Sequence, residues 1–257
     1  LNRFRPGVVF HAAAYKHVPL TEINEDEAVL NILFGTRNVV EACEQEGVER
    51  FVLVSTDKAV DARAIMGASK RSAELLVQAA AKKSGRRYVA VRFGNVLASS
   101  GSVVPLFREQ IAAGGPVTVG HQDLERYFMT VQEASSLVVS AGDLGAGGEI
   151  FVLDMGEPVS ILTLAEDLIR LSGFEPGRDM QIVFTGLRPG EKMKESLFHP
   201  GETPQKTAHP RIFHAHTPGA GTARVDLALE GLEEAALSGD TATLRERLAK
   251  LVPSLPV

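Results

Sequence analysis

The run Phe51-Val52-Leu53-Val54 is apolar at every position and then gives way to four consecutive polar residues, Ser55-Thr56-Asp57-Lys58. A strand covered on one face alternates apolar and polar residues, so an unbroken apolar run predicts a strand buried on both faces, as in a parallel sheet layered by helices. Its flanks agree. Upstream stand a short strand, Val8-Val9-Phe10, and an amphipathic helix from Glu27 to Glu46 with Ala28, Ile32, Val39 and Cys43 among its apolar positions and Gly47 as its stop. Downstream, a helix from Met66 to Lys83 ends near Ser84-Gly85, and a third strand follows at Tyr88-Val89-Ala90-Val91-Arg92-Phe93. Three strand and helix alternations predict an α/β fold with a doubly wound parallel sheet, whose ligands collect beyond the carboxyl ends of the strands. The polar loops 11–17, 55–58 and 94–102 sit at those ends.

Beyond residue 94 the rhythm loosens. Helices are expected from Pro105 to Ala113, from Val131 to Ser140 with Glu133 near its start, and from Ile161 to Ser172. Strands are expected at Val117-Thr118-Val119, from Glu149 to Leu153, and from Gln181 to Phe184. The stretch from Pro200 to Gly221, rich in Pro, His and Thr, reads as irregular, ahead of two charged helices at about 229–237 and 240–251.

The 257 residues, 44% hydrophobic, suffice for a sizeable core. A net charge of −5 with scattered Lys and Arg argues against nucleic acid as a partner. The single cysteine, Cys43, excludes an intrachain disulfide and reads as a core residue of a cytoplasmic protein. No apolar run reaches the roughly 20 residues needed to cross a bilayer, and the start Leu1-Asn2-Arg3-Phe4-Arg5-Pro6 is unlike a signal peptide. With no initiator methionine and a strand already at Val8, the chain reads as though an upstream part were absent. His11, His17 and the tail histidines lack metal-ligand spacing, so no metal is expected.

Thr56-Asp57-Lys58 admits two interpretations: an N-cap with a solvated turn, or a general acid and base sharing one substrate at a strand end. Lys70 is either a surface lysine or, one turn into the next helix, a group reaching back to the same point to hold a ribose or lower a neighbour's pKa. Lys16 is a surface charge or a ligand contact, and Asn95 and Ser102 are turn formers or polar contacts. Arg126 is a site residue or the ion-pair partner of Glu125 or Asp123. Arg188, held by Pro189-Gly190, suits a diphosphate through its planar fork.

Taken in order, Phe10-His11-Ala12-Ala13-Ala14-Tyr15-Lys16-His17-Val18-Pro19, Ser55-Thr56-Asp57-Lys58-Ala59, Met66-Gly67-Ala68-Ser69-Lys70-Arg71, Arg92-Phe93-Gly94-Asn95-Val96, Gly101-Ser102-Val103-Val104-Pro105 and Gly186-Leu187-Arg188-Pro189-Gly190-Glu191-Lys192 resemble the nucleotide-sugar 4,6-dehydratases of the extended short-chain dehydrogenase/reductase superfamily. The similarity runs from about residue 7 to 200 and is nearest to the bacterial polysaccharide-biosynthesis branch acting on UDP-N-acetylglucosamine. It implies NAD as a recycled cofactor, a UDP-sugar substrate and a 4-keto-6-deoxy product. It also implies a truncated Rossmann-type sheet: residues 1–115 as the later part of an NAD-binding domain, 116–200 as an interleaved substrate lobe, and 201–257 as a tail.

Two departures from the pattern matter. Where most of the superfamily has the tyrosine of Tyr-x-x-x-Lys, this chain has Met66, whose thioether is no proton acceptor at neutral pH; larger membrane-anchored relatives resemble it in this. The reaction therefore falls to Thr56 as partner of the C4 oxygen, Asp57 as acid for the C6 hydroxyl and Lys58 as C5 base. The glycine-rich phosphate loop and its ribose-binding acid are also missing from these 257 residues, so the resemblance predicts weak NAD binding and an exposed sheet edge.

By the same resemblance Ala12, Ala13, Ala14 and Lys16 lie along the dinucleotide, Asn31 sits on the helix behind it, and Ser55, Lys70 and Phe93 line its nicotinamide half. Asn95, Ser102, Val103, Arg126, Arg188 and Glu191 fall on the UDP-sugar side, Arg188 toward the diphosphate and Glu191 toward the uridine ribose. Relatives pair through the helices matching 27–46 and 66–83, which implies a homo-oligomer, and a parent protein with upstream membrane helices would keep this part in the cytoplasm. A 4-epimerase and a non-catalytic nucleotide-sugar-binding module are the competing functions.

Overall fold

A computed structural model of the chain describes residues 1–99, 101–217, 225 and 229–256. Strands β1 (Val8–His11), β2 (Arg50–Val54), β3 (Arg87–Arg92) and β8 (Ile150–Leu153) run parallel in that order, in register through pairs such as Phe10 with Val52 and Val91 with Phe151. The apolar run resolves by the two-residue period of a strand. Phe51 and Leu53 enter the core on one face of the sheet, and Val52 enters the core on the other.

The first face is covered by α1 (Val18–Glu22), α2 (Glu25–Val29), α3 (Gly35–Gln45) and α4 (Ile65–Ser84). The helix expected from Glu27 to Glu46 begins at Glu25 and carries a π-helical turn, Leu30–Phe34, between α2 and α3. That turn holds Asn31, whose Oδ1 accepts a hydrogen bond from the Tyr15 backbone N–H at 3.0 Å, and so ties it to the loop after β1. Helix α4 has no side-chain cap of its own on Ala64. Glu22 of α1 supplies one instead, its Oε1 accepting from Ile65 N at 2.6 Å, and Gly85 ends the helix in the left-handed region at φ +68°.

The opposite face is covered by α6 (Val131–Leu144), four residues longer than its pattern suggested and opened by a reciprocal capping box between Thr130 and Glu133. A smaller lobe joins α5 (Val103–Ala112) and α7 (Ile161–Leu171) to the parallel pair β5 (Val117–Val119) and β10 (Ile182–Phe184) around Phe107, Val117 and Ile169. Short strands β4 (Asn95–Val96), β6 (Glu125–Arg126), β7 (Phe128–Met129) and β9 (Val159–Ser160) stitch this lobe to the sheet, β4 with β7 and β6 with β9.

The stretch expected to be irregular after Pro200 is not. It forms β11 (Thr203–Lys206) and β12 (Ile212–His216), which extend the sheet antiparallel beyond β8. Ile212 and Ala215 are buried there, and Pro204 is tolerated because β11 is an edge strand that can leave a donor out of the ladder. Residues 218–221 of that stretch lie outside those described.

Helices α8 (Leu232–Ser238) and α9 (Thr241–Leu251) follow, starting three residues and one residue later than expected. Their Leu232, Ala236, Leu244 and Leu248 join the core with Ile32, Phe34 and Val77, so the chain's own tail packs on the two helices implied in pairing. The other edge, β1, has a single neighbouring strand and leaves Phe10 45% exposed. Cys43 is buried as a free thiol. Among the described residues no helix is long and apolar enough to cross a membrane.

Candidate active site

At the end of β2 the chain turns through a single 3-10 turn, Asp57–Ala59, with Thr56 as its cap accepting from the Lys58 backbone N–H. The turn is pinned from both sides. Asp57 N donates to the Phe93 carbonyl at 3.1 Å, and Gly67 of α4 packs against the Lys58 carbonyl so closely that a Cβ there would collide with it. Three side chains converge as a result. Asp57 Oδ1 accepts from Lys58 Nζ at 2.9 Å and from Thr56 Oγ1 at 2.9 Å, and Lys58 Nζ also donates to Asn95 Oδ1 at 3.1 Å. Burial penalises the Lys58 ammonium, but the Asp57 and Glu195 carboxylates outweigh that and hold its pKa above the ordinary lysine value. Asp57 is fully buried, and its Oδ2 has no partner among the described residues.

A cleft of about 440 Å³ opens beside this turn, at the carboxyl ends of β1, β2 and β3. Thr56, Lys58, Met66 and Lys70 line it, and so do Ala12, Ala14, Lys16, Ser55 and Phe93. Asp57, Ala13 and Asn31 do not: Asp57 is fully buried behind the wall, Ala13 is exposed elsewhere, and Asn31 supports the loop. Lys70, 7% exposed, donates to the Val54 carbonyl at 2.9 Å. Burial pushes it down to about 8, against the opposing pull of Glu74.

Asn95, Ser102, Val103, Arg126, Arg188 and Glu191 line the far side of the same cleft. Arg126 forms no ion pair with the carboxylate of Glu125 or of Asp123 among the described residues. Its Nη2 lies 3.2 Å from Glu191 Oε1, and Nη1 donates to the carbonyls of Glu125 and Met193. The other Glu191 oxygen accepts from the Arg188 backbone N–H at 3.2 Å, and the exposed Arg188 guanidinium has no hydrogen-bond partner among the described residues. Lys16 Nζ reaches Ser99 Oγ at 3.3 Å and Gly101 packs against the His17 ring, so the loops after β1 and after β4 meet over the cleft.

Behind Ser55 lies a buried ionic network. Ser55 Oγ donates to Glu74 Oε1 at 2.6 Å, and Arg92 grips both Glu74 oxygens at 2.8 and 2.7 Å and Glu202 at 2.7 and 3.2 Å. Burial alone would push the Glu74 carboxyl up, but Arg92, Arg71 and the Ser55 hydroxyl hold it at about 2. His199, whose backbone N–H donates to Glu202 at 2.8 Å, is lowered to about 4 by burial and by Arg71 and Arg92. Glu202 thus fastens the chain entering β11 to the core of the parallel sheet.

Pattern reasoning did not single out Glu195, Lys192, Glu74, Arg92 or Glu202. Lys192 and Arg92 stand inside segments that carry the resemblance without being given a role of their own, and Glu195 lies three residues past Lys192, so extending that segment to it would have included it. The Arg92–Glu74–Glu202 contacts join three distant segments and leave no local trace.

A parallel sheet with crossover helices and a polar cleft at its strand ends, lined by a Thr-Asp-Lys turn and an Arg-Glu pair, define a Rossmann-type α/β fold. Residues 1–217 match the family described as "Polysaccharide biosynthesis protein", and this chain belongs to that family. It is 50% identical over 233 residues to the capsular polysaccharide biosynthesis protein CapD of Staphylococcus aureus, covering 90% of this chain and 39% of that protein. It is 35% identical over 195 residues to a UDP-N-acetylglucosamine 4,6-dehydratase (inverting) of Campylobacter jejuni, covering 74% and 55%.

The chain therefore spans roughly two-fifths to just over half of the length of these relatives. Among solved structures, Pen from Bacillus thuringiensis superposes with TM-score 0.75 at 36% identity, covering 83% of this chain and 66% of that one. DesIV, a dTDP-glucose 4,6-dehydratase from Streptomyces venezuelae solved with NAD bound, shares the fold at TM-score 0.66 and 20% identity, covering 74% and 64%.

Proposed function

We propose that this chain carries the reaction centre of a UDP-N-acetylglucosamine 4,6-dehydratase that works through NAD. The observation that carries this is the Asp57–Lys58–Thr56 constellation beside Met66. A proton can be held and moved at the turn, while the position opposite is a buried thioether, 3% exposed. A 4-epimerase needs only oxidation and reduction at C4. An acid and base pair set together on one turn serves elimination instead.

The cleft fits the nicotinamide half of NAD: Ala12 and Ala14 are small enough for close backbone approach, Val54, Met66 and Phe93 give apolar walls, and Lys70 offers an ammonium to a ribose hydroxyl. Bound there, NAD would supply the hydride acceptor for oxidation at sugar C4 and the donor for reduction at C6. Asn95, Ser102, Arg126 and Glu191 face the sugar nucleotide, and the free Arg188 guanidinium takes the diphosphate.

The resting pair is an ammonium and a carboxylate. Moving one proton from Lys58 Nζ to Asp57 Oδ1 along their 2.9 Å hydrogen bond gives an amine and a carboxylic acid. Expelling water from the cleft favours that neutral form, since separated charges lose solvation there. Lys58 then takes the C5 proton, while Asp57 gives its proton toward the C6 hydroxyl, which leaves as water. Because Asp57 stands behind the wall, that proton enters the cleft through the Thr56 hydroxyl, 2.9 Å from Oδ1, the same hydroxyl that partners the C4 oxygen in the preceding oxidation. Two further protons complete the balance. The one leaving the C4 hydroxyl in the oxidation passes by way of the Thr56 hydroxyl to water. The Lys58 ammonium returns one to C5 as hydride reaches C6 and is recharged from water, so the pair ends as it began and no net acid or base is consumed.

The test is incubation with UDP-N-acetylglucosamine and NAD, with the product read by mass spectrometry and by a carbonyl-specific hydrazide. A 4-keto product lighter by one water is expected. A product of unchanged mass with inverted C4 would establish the epimerase, and absence of both would overturn the proposal.

A further inference from the structure

Glu195 belongs to none of the roles above, yet it is 8% exposed and lines the cleft. Its Oε1 lies 3.8 Å from Lys58 Nζ and its Oε2 lies 3.3 Å from Lys192 Nζ, near enough for ion pairing. Oε2 nonetheless receives no hydrogen bond, although it is shielded from solvent. A carboxylate oxygen shielded from water without a hydrogen bond relies on the neighbouring ammonium groups for compensation. Lys192 gives its hydrogen bond instead to the Val60 carbonyl at 2.7 Å, just past the 3-10 turn. The segment after β10 that bears Arg188 and Glu191 is thereby attached to the turn that bears Asp57 and Lys58.

We infer that Glu195 is a positioning residue that acts on the Lys58 ammonium as a second anion beside Asp57, setting the charge of Lys58 and clasping the 188–195 segment to the reactive turn. The groups facing Lys58 are Asp57 on its own turn, Asn95 from β4, Arg126 from β6 and Glu195 from the segment after β10. Two are anionic, one is cationic and one is neutral. Lys192 is the cation that faces Glu195 and tempers its field. Lys58 can act as a base only as the free amine, so Glu195 delays that state until the cleft is filled, and Lys192 limits the delay. The catalytic consequence rests on the dehydratase reading. The electrostatic clasp does not.

The test follows Lys58 directly. In the full chain, lysines labelled at 13Cε are titrated by NMR, with the Lys58 signal assigned by its loss in Lys58→Arg. Glu195→Gln keeps the shape and removes an anion, so the Lys58 titration midpoint is expected to fall by about one pH unit. Lys192→Met removes the tempering cation and is expected to raise it. Opposite movements of that kind have no counterpart in a purely packing role. Lys58 midpoints unchanged in both folded variants would overturn the inference, as would movement in the same direction.

If the wild-type chain makes product, the acid limb of its kcat/KM profile shifts with the midpoints. If it makes none while the midpoints move as stated, the clasp stands and the dehydratase proposal fails.

Discussion

Lys58 Nζ sits 2.9 Å from Asp57 Oδ1 although the two residues are adjacent in sequence, a contact the 3-10 turn enforces by folding both side chains to one side. Neighbouring residues of an extended strand point to opposite faces. The proton-sharing pair therefore depends on the strand ending where it does.

Removing either member should stop the chemistry. Lys58→Ala and Asp57→Asn are each expected to lower 4-keto product formation by at least ~10²-fold, the usual contribution of a positioned acid or base. Met66→Ala should retain measurable product, because the thioether forms a wall and moves no proton. The measurement is initial rate by hydrazide trapping, and full activity in Lys58→Ala would refute the assignment.

Arg188 carries an exposed guanidinium, while its backbone N–H is held by Glu191. Arg188→Ala should weaken UDP binding by about tenfold, the scale of one charge-assisted contact, and leave the melting temperature unchanged. Calorimetric titration with UDP reads the first and a thermal melt the second. Unchanged affinity for UDP would remove Arg188 from the substrate side.

Gly67→Ala places a methyl group against the Lys58 carbonyl and near the Ala62 side chain. Relief requires moving backbone of the reactive turn, so the variant should lose about 1–3 kcal/mol of stability and most of its activity. Urea unfolding and the same product assay are the readouts. A variant equal to wild type in both would show that the turn yields without cost.

Acid should unfold the protein in two stages. His199 is held at about 4, against 6.5 when free, so between those values the unfolded chain binds a proton that the native chain does not, and stability falls as pH drops through that window. Glu74, held at about 2 against 4.5, adds a second loss from 4.5 downward. Both contributions are complete above pH 6.5. Urea midpoints at pH 7, 5 and 3 should decline in turn, and His199→Phe should flatten the first interval. A wild-type midpoint constant from pH 7 to 4 would contradict the placement of His199 against Arg71 and Arg92.

Much of this architecture is visible in short windows of sequence. The unalternated run at 51–54 reports burial on both faces, and Gly85 marks the end of α4, because both signals are local and each rests on one steric or solvation rule. The tail misled for the same reason. Pro, His and Thr between residues 200 and 217 carry weak local preferences, and β11 and β12 form because β8 offers them an open edge. That edge is invisible in any window around residue 204.

The α/β class, the strand end at Val54 and the polar group that follows it are set locally, since hydrophobic period and breaker residues act over a few positions. Which polar groups meet is a matter of tertiary packing. Glu195 reaches Lys58 across 137 positions of chain, Arg126 finds Glu191 rather than its sequence neighbours, and Arg92 joins Glu74 to Glu202. Such pairs form where buried charge must find an opposite charge, and the partner is chosen by how the sheet, the lobe and the tail are brought together.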